Sequence, residues 1–230
     1  MKIIVLDEID STNEYLKREY DKLPIHTCVL AKKQKAGKGR RDHIWQSQKN
    51  QNMTVSFLYK DIDDVQEAWK YTIIGAKSII ELLAENNIEA SIKWPNDIYA
   101  NDQKICGILV ETILEPDLKG IVIGIGLNVN HAKPYICMKD ITKKQYEIIE
   151  LLLQLILLMN QNIELYNHQQ FSDILNKMNR LSYLKEKWVR YKDYGLVCFQ
   201  ELNESGMVEF IDKKGNKYQE TINVITLSHH

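Results

Sequence analysis

This 230-residue chain has few cysteines, few prolines and no excess of either charge. The four cysteines are far apart and form no CxxC pair: Cys28, Cys106, Cys137 and Cys198. That spacing argues against a zinc site or a thioredoxin-type redox centre, so we expect free thiols in the reducing cytoplasm. Thirty basic and 31 acidic residues give a net charge of −1. Overall charge therefore gives no reason to expect a nucleic-acid or membrane partner, and any anion site must come from local clustering.

The chain also lacks a long uninterrupted apolar run. Residues 151–159 are the most apolar stretch, but they contain Gln154 and fall short of the ~20 residues that a membrane-spanning helix needs. We interpret them as part of a buried helix. Residues 1–7 are too short, and too soon interrupted by acids, for a signal peptide. The length suits one globular core, or one domain with a small appendage.

Hydrophobic periodicity predicts an α+β fold with a mixed or antiparallel sheet. Strands are expected at residues 2–6, 27–33, 53–60, 92–94, 98–100, 105–114 and 120–129. Helices are expected at residues 12–20, 64–86, 143–166 and a shorter stretch ending near 181. Asp10 or Ser11 would cap the first helix, with Glu14 completing a capping box. Pro116-Asp117 would join the last two strands, and the alternation in 53–60 is typical of a half-buried strand.

The last ~50 residues change character. Short strands at 188–191, 196–199 and 207–211, separated by turn signals, suggest a small C-terminal β-barrel. We expect one domain over residues 1–181 and a second over 182–230.

The first candidate site is a basic loop, in which six of the ten residues 32–41 are Lys or Arg. Charges this dense resist compact folding unless an anion is present, and Gly37 and Gly39 allow close backbone approach. A solvated surface loop is an equally good interpretation, and a nucleic-acid interface is a third. It is not a Walker A loop, because no Gly-Lys-Ser/Thr opens a helix there.

The second candidate is the turn Trp94-Pro95-Asn96-Asp97, which follows Lys93. Pro95 restrains the backbone, and Asp97 and Lys104 flank a hairpin-like segment across which they could meet. Asn-Asp is also ordinary turn chemistry, and an exposed ion pair is the simpler alternative. Two weaker signals accompany it. The glycine pair in 124–130 fails as a dinucleotide fingerprint, and helix capping would explain Ser11-Thr12-Asn13.

Taken in order, these segments resemble the biotin protein ligase family. The matching residues are Ser11-Thr12-Asn13, 34–41 with Trp45, 93–97, 104–107 with Glu111, and 124–128. Their order and spacing agree over residues 7–130, and the β-rich tail resembles the family's small C-terminal domain. The resemblance implies a class II synthetase-like catalytic domain that joins biotin to ATP as biotinoyl-5′-AMP. The biotinyl group then passes to a lysine of a biotin carboxyl carrier domain.

The resemblance also implies roles for individual residues. Catalytic roles fall to Lys104, Arg40 and Asp97. Biotin would be bound by Ser11, Thr12, Asn13, Gln34, Lys38, Gly39, Arg40, Lys104 and Gly107. ATP or the adenylate would be bound by Arg40, Arg41, Trp45, Asn96, Asp97, Lys104 and Asn128, with Asn128 on the adenosine side. Mg²⁺ is expected with ATP, although no residue is assigned as its ligand. The expected protein is a cytoplasmic monomer or homodimer.

The chain departs from the family pattern in the basic loop. The family loop usually reads Gly-Arg-Gly-Arg-Arg-Gly, whereas here Lys38 replaces the first arginine and Asp42 and His43 follow Arg41. A backbone contact at Lys38 would survive this change, but a guanidinium-specific contact would not. Ser11 lies so near the start that we expect a ligase without the DNA-binding domain of some members. Two alternatives stay open: a lipoate or octanoate ligase, and a nucleic-acid-binding module with steep salt dependence.

Overall fold

A seven-stranded sheet forms the centre of the structure, a computed structural model that describes residues 1–60, 62, 67–115, 118–168 and 170–222. Its strands are β1 (Lys2–Leu6), β2 (His26–Ala31), β3 (Asn52–Lys60), β4 (Ser91–Lys93), β5 (Asp97–Ala100), β6 (Gln103–Glu115) and β7 (Leu118–Asn128). Their order is β1-β2-β3-β7-β6-β5-β4. Only the β1–β2 pair is parallel among the described pairings of this sheet. The predicted mixed sheet is confirmed.

Five α-helices accompany the sheet in the described part of the chain: α1 (Thr12–Arg18), α2 (Ala68–Glu85), α3 (Met138–Thr142), α4 (Ile148–Asn167) and α5 (Phe171–Arg180). The apolar stripe of α2 is buried, because this helix packs on β6 and β7. Helix α4 is long and apolar enough, by length and composition, to cross a membrane. One face of α4 packs against α2, which confirms the predicted burial for that face, whereas Leu153 and Leu157 on the other face are exposed.

A second, four-stranded antiparallel sheet lies toward the C-terminus. Its strands are β8 (Trp188–Arg190), β9 (Leu196–Leu202), β10 (Met207–Asp212) and β11 (Lys217–Thr221), in the order β11-β10-β9-β8. The β-rich C-terminal unit is thus confirmed, while its closure into a barrel and the boundary at residue 182 stay predictions. β11 was not predicted, because its sequence, Lys-Tyr-Gln-Glu-Thr, has no apolar alternation.

Three local predictions are wrong. Ser11 is the N-cap residue of α1, as predicted, but the capping box does not form among the described residues. The Ser11 N–H donates to Asp10 Oδ1 at 2.8 Å, and Glu14 pairs with Lys17 and Lys38. The helix predicted over 143–166 begins at Ile148, since Lys143 has φ 62° and ends α3. β3 is buried on both faces rather than one, because α1 covers one face and α4 contacts the other. Pro116-Asp117 and residues 63–66 lie outside the described residues.

The two sheets share one hydrophobic core. Trp94 stacks on Phe199 of β9 with ring centroids 6.1 Å apart, and Phe199 meets Phe210 edge-on at 6.4 Å. The backbone also joins them, since the N–H of Tyr183 donates to Ile92 O at 2.7 Å. The turn that carries the second candidate site is therefore supported from below by the C-terminal sheet.

Replacing Phe199 with Ala should lower the free energy of unfolding by about 3 kcal/mol, because it leaves a cavity under the buried Trp94. Urea denaturation followed by circular dichroism and by tryptophan fluorescence measures this loss. Leu196→Ala, on the same strand but exposed, is the control and should change stability by less than ~0.5 kcal/mol. Both probes should report one transition. Two separate transitions would show that the sheets unfold independently.

Candidate active site

A cavity of about 230 Å³ opens where α1, the loop over 34–45 and the turn at 94–97 meet the sheet. Thirteen of the fourteen predicted site residues line it: Ser11, Thr12, Asn13, Gln34, Lys38, Gly39, Arg40, Arg41, Trp45, Asn96, Asp97, Lys104 and Gly107. Asn128 does not. It lines a neighbouring cavity of about 310 Å³ that shares Trp45 and Gln34 with the first.

The start of α1 forms one end of the cavity, which is polar but uncharged. Ser11, Thr12 and Asn13 are each only 3% exposed. The backbone N–H of Thr12 donates to Gln34 Oε1 at 2.7 Å, and the Thr12 hydroxyl oxygen lies 3.0 Å from the same atom. Asn13 fits only because β7 has a glycine beneath it, since a Cβ at Gly124 would lie 2.3 Å from Asn13 Oδ1. Helix capping alone therefore does not explain these residues.

The basic loop folds into a small hairpin over the cavity. The backbone N–H of Trp45 donates to Gly37 O at 2.9 Å, and the backbone N–H of Gly39 donates to His43 O at 2.7 Å. A Cβ at Gly37 would lie 2.5 Å from Trp45 O, so this close crossing requires glycine. Arg41, inside the hairpin, has φ 53°, a left-handed conformation that few non-glycine residues adopt.

Acids balance most of the loop's positive charge, contrary to the expectation that it would need an anion to fold. Ion pairs join Lys32 to Asp7, Lys33 and Lys35 to Glu8, and Lys38 to Glu14. These acids precede or lie on α1, which runs beside the loop. The two arginines line the cavity, as Lys38 does, and Arg40 Nη1 donates to Asn96 Oδ1 at 3.4 Å. Burial and the neighbouring Arg41 lower the pKa of Arg40, while Asp97 offsets part of that shift.

The turn after β4 places a carboxylate and two amines at the opposite end of the cavity. The Trp94–Pro95 peptide is cis, and Asn96 is fixed by two bonds to Ile108 of β6, one of them from its amide to Ile108 O at 2.8 Å. Lys104 Nζ lies 2.7 Å from Asp97 Oδ1, so the predicted ion pair forms across the β5–β6 hairpin.

Lys93 was quoted in the motif but given no role, and the structure brings it into the cavity. Its ammonium donates to the Tyr99 hydroxyl at 3.1 Å. Burial lowers the pKa of Lys93, the nearby positive charge of Lys104 lowers it further, and Asp97 opposes both effects. Its position directly before the Trp-Pro-Asn-Asp turn was the signal that could have identified it.

Trp45 packs flat on the sheet between the two ends. A Cβ at Gly126 would lie 2.3 Å from its indole ring, and Lys104 Nζ is 5.8 Å from the ring centroid. The indole N–H is buried and has no hydrogen-bond partner among the described residues. Asn128, two residues beyond Gly126, is held by bonds with Asn52 and the carbonyl of Ile136.

The cavity therefore joins an uncharged polar end to a cationic end. Of its described lining residues, Lys38, Arg40, Arg41, Lys93 and Lys104 are basic, while Asp97 alone carries a carboxylate. Side chains of His, Cys, Asp and Glu form no cluster of three or more that could hold a metal, within the part of the chain described. Such an arrangement suits a ligand with a neutral polar head and an anionic tail, next to a second anion.

Lys93→Met should make the ligand-free protein more stable, because a half-buried ammonium beside Lys104 is removed. We expect a rise of roughly 1–2 °C in melting temperature near pH 7, kept small by solvent screening. The folded-state pKa of Lys93 lies below its usual 10.5, so its cost is present at neutral pH. The advantage of the variant should shrink as pH rises through the lowered folded-state pKa, and it should vanish well above pH 10.5, where the wild-type lysine is neutral in both states. An advantage that stayed constant with pH would contradict this origin.

Comparison with known proteins agrees with this geometry. The model of the Biotin/lipoate A/B protein ligase family matches residues 5–128, just over half of the chain. The bifunctional ligase/repressor BirA of Bacillus spizizenii is 35% identical over 131 residues, which cover 56% of this chain and 40% of that protein. The biotin–[acetyl-CoA-carboxylase] ligase of Mycobacterium tuberculosis is 33% identical over 135 residues, which cover 56% of this chain and 49% of that protein. The chain thus matches less than half the length of these curated relatives.

Solved structures extend the similarity to the whole fold. A biotin protein ligase from Aquifex aeolicus, in complex with biotin and ATP, superposes with a TM-score of 0.86 at 25% identity, covering 100% of this chain and 99% of that one. The biotin acetyl coenzyme A carboxylase synthetase of Helicobacter pylori, with bound biotinylated ATP, superposes with a TM-score of 0.68 at 25% identity. The match covers 95% of this chain and 99% of that one. On the family match and this shared fold, the chain belongs to the Biotin/lipoate A/B protein ligase family.

Proposed function

We propose that this chain is a biotin protein ligase. It would couple biotin to ATP as biotinoyl-5′-AMP and transfer the biotinyl group to a lysine of a biotin carboxyl carrier domain. The observation that carries the proposal is the two-ended cavity. Its uncharged end has buried Ser11 and Thr12 with half-buried Gln34, and its cationic end has Arg40, Lys93 and Lys104. Biotin has the matching shape, a neutral ureido head and a carboxylate tail.

The polar end favours biotin over lipoate within the family. Thr12 and Gln34 present hydrogen-bonding oxygens inside a largely buried pocket. The ureido group of biotin supplies N–H donors and a carbonyl acceptor for such a pocket. The head of lipoate is an apolar dithiolane, which would leave the buried polar groups without partners at a cost of about 1–3 kcal/mol each. Lipoate or octanoate is therefore the weaker candidate.

The cationic end suits the first step. The biotin carboxylate oxygen attacks the α-phosphorus of ATP, a C–O–P linkage forms, and the bond to pyrophosphate breaks. Two unit charges ~4 Å apart repel by about 4 kcal/mol at an effective dielectric of ~20. Lys104 and Arg40 would offset this repulsion and stabilise the negative charge that grows on the α-phosphate. Their positions are set by Asp97 and Asn96, so little reorganisation is needed.

In the second step the neutral amine of the carrier lysine attacks the anhydride carbonyl, and AMP leaves. The amine loses a proton in this step, and Asp97 would either accept it or orient the incoming amine. The hairpin over 37–45 would shield the intermediate from water, because it already arches over the cavity.

The adenosine portion would lie against Trp45. The unpartnered indole N–H of Trp45 supplies a buried donor, and the adjoining cavity lined by Asn128 supplies amide groups. This assignment keeps Asn128 on the adenosine side, outside the cavity that holds the other predicted residues.

Magnesium fits this site as an ion that arrives with ATP. One carboxylate, Asp97, lines the cavity together with the Asn96 amide, and Mg²⁺ in nucleotide sites is held largely by phosphates and water. When bound, it would neutralise phosphate charge. The absence of a nucleic-acid partner, the cytoplasmic location and the monomer or homodimer state stay predictions.

The direct test is mass spectrometry of a biotin carboxyl carrier domain incubated with the protein, biotin and Mg-ATP. One biotinyl group should be added at a single lysine, and lipoate in place of biotin should add nothing. Modification by lipoate alone would overturn the assignment to biotin.

Lys104→Ala should reduce adenylate formation by about 10²–10³-fold, because an ammonium aimed at the carboxylate and phosphate is lost. Pyrophosphate release measures this step without the carrier. Lys22→Ala is a matched control, since Lys22 forms an exposed ion pair with Glu19 away from the cavity. Near-normal pyrophosphate release by a folded Lys104→Ala protein would refute the role of Lys104.

Arg40→Gly should weaken retention of the adenylate, because Arg40 is the half-buried cation that joins the loop to Asn96. Released adenylate would label lysines on bystander proteins, detected by streptavidin blotting of added serum albumin. Selectivity equal to that of the wild type would contradict the closing role of the loop.

A further inference from the structure

A line of polar side chains runs from half-buried Glu111, through buried residues, to the uncharged end of the cavity. Glu111 lies on β6, Asn13 on α1, Ser56 on β3 and Thr12 on α1. Glu111 and Ser56 do not line the cavity, and Ser56 is fully buried. Glu111 belongs to the segments that resemble the family but has no assigned role, and Ser56 lies outside those segments. A role for this line of residues rests on the proposed function.

The orientation of the Asn13 amide is fixed by its neighbours. Its Nδ2 lies 2.7 Å from Glu111 Oε2 and 3.4 Å from the Leu109 carbonyl oxygen. Both partners only accept hydrogen bonds, so the amide must direct its NH₂ toward them. Lys17 contacts the second oxygen of Glu111 at 2.8 Å and keeps the carboxylate in place. The Asn13 oxygen consequently faces Ser56.

The hydroxyl protons follow from that orientation. Ser56 has one proton, and Asn13 Oδ1 can only accept, so Ser56 donates to Asn13. Ser56 Oγ also lies 2.6 Å from Thr12 Oγ1, and this short contact needs a proton that Thr12 must supply. Thr12 has then no proton left for Gln34 Oε1, 3.0 Å away, which already accepts from the Thr12 backbone N–H.

We propose that Glu111 and Ser56 are positioning residues that make the Thr12 hydroxyl an acceptor toward the ligand. Every proton in the line points toward Glu111, so lone pairs of Thr12 Oγ1 and Gln34 Oε1 remain at the pocket end. Two such oxygens side by side call for an N–H placed between them. The line therefore selects a ureido ring that offers an N–H, and rejects a ring that offers an oxygen at the same point.

Packing gives the line little freedom to reverse. Thr12, Asn13 and Ser56 are each at most 3% exposed, so water has little access to supply a missing proton. Asn13 sits directly over Gly124, which pairs with Ser56 on one side and Leu109 on the other. Turning the amide around would place its NH₂ against Ser56 and its oxygen against the Glu111 carboxylate.

The test measures ligand discrimination by titration calorimetry, without catalysis. The probes are biotin and its two cyclic carbamates, in each of which a different ureido N–H is replaced by a ring oxygen. The wild-type protein should bind biotin at least about tenfold more tightly than one of the carbamates, because oxygen then faces oxygen in a buried site. In Ser56→Ala the Thr12 proton is free to turn to Gln34, and this ratio should fall toward one.

Variants of Glu111 and of a second buried hydroxyl act as controls. Glu111→Leu removes the acceptor and should also lower the ratio, whereas Glu111→Gln retains an amide oxygen that can accept from Asn13 and should preserve it. Thr54→Val removes another buried hydroxyl of β3, one that donates to Ala31 O, and should leave the ratio unchanged. Thermal melts of all four variants confirm that each is folded.

The outcomes separate this inference from the proposed function. If the wild type binds biotin, but Ser56→Ala and Glu111→Leu keep the wild-type ratio of biotin to carbamate affinity, the positioning role of Glu111 and Ser56 is refuted and the proposed function stands. If the ratio also falls toward one in Thr54→Val, the effect comes from general loosening of β3, and the positioning role is likewise refuted. A wild type that binds none of the three probes overturns the proposed function, and the line falls with it.

Discussion

The close approach of two side chains to the glycines of β7 is the constraint on which the site depends. Gly124 makes room for Asn13, and Gly126 makes room for the indole of Trp45. A side chain at either position would displace one end of the cavity. β7 lies between β3 and β6, and its neighbours supply Ser56 and the Lys104–Gly107 segment. Two glycines on one strand thus let elements from distant parts of the chain converge on a small volume.

Charge is distributed so that the cavity keeps a concentrated positive end in a nearly neutral protein. The lysines at the edge of the basic loop are paired with acids on or before α1, and they hold the loop in place. Of the basic groups that line the cavity, Lys38 is paired with Glu14, and the others have one carboxylate among the described lining residues, Asp97. Burial lowers the pKa values of Arg40 and Lys93, and a neighbouring cation lowers each further, Arg41 for Arg40 and Lys104 for Lys93. Anionic ligands would relieve both effects, so binding energy is available where the proposed chemistry needs it.

The C-terminal sheet packs against Trp94, the first residue of the turn of the site. Phe199 stacks on Trp94, whose peptide leads directly into Asn96 and Asp97. The turn that carries two of the site residues is therefore backed by a hydrophobic contact with a separate sheet. This gives the β-rich tail a physical role in the site, although none of its described residues lines the cavity.

The sequence by itself determined the elements and the local motifs. Periodicity located α2 and most strands, and the clusters at residues 34–41 and 93–97 stood out because their chemistry is concentrated in short segments. The family resemblance, rather than composition, joined these clusters with Ser11-Thr12-Asn13 into the set of thirteen residues that meet in the cavity. The sequence did not reveal β11, which has no apolar alternation, or the burial of both faces of β3, which depends on helices far along the chain. Only the tertiary structure decided that Lys32, Lys35 and Lys38 are neutralised by acids, that Asn128 faces a neighbouring cavity, and that Glu111 and Ser56 lie behind the site. These facts depend on distances between elements, and such distances are set by packing rather than by any local pattern.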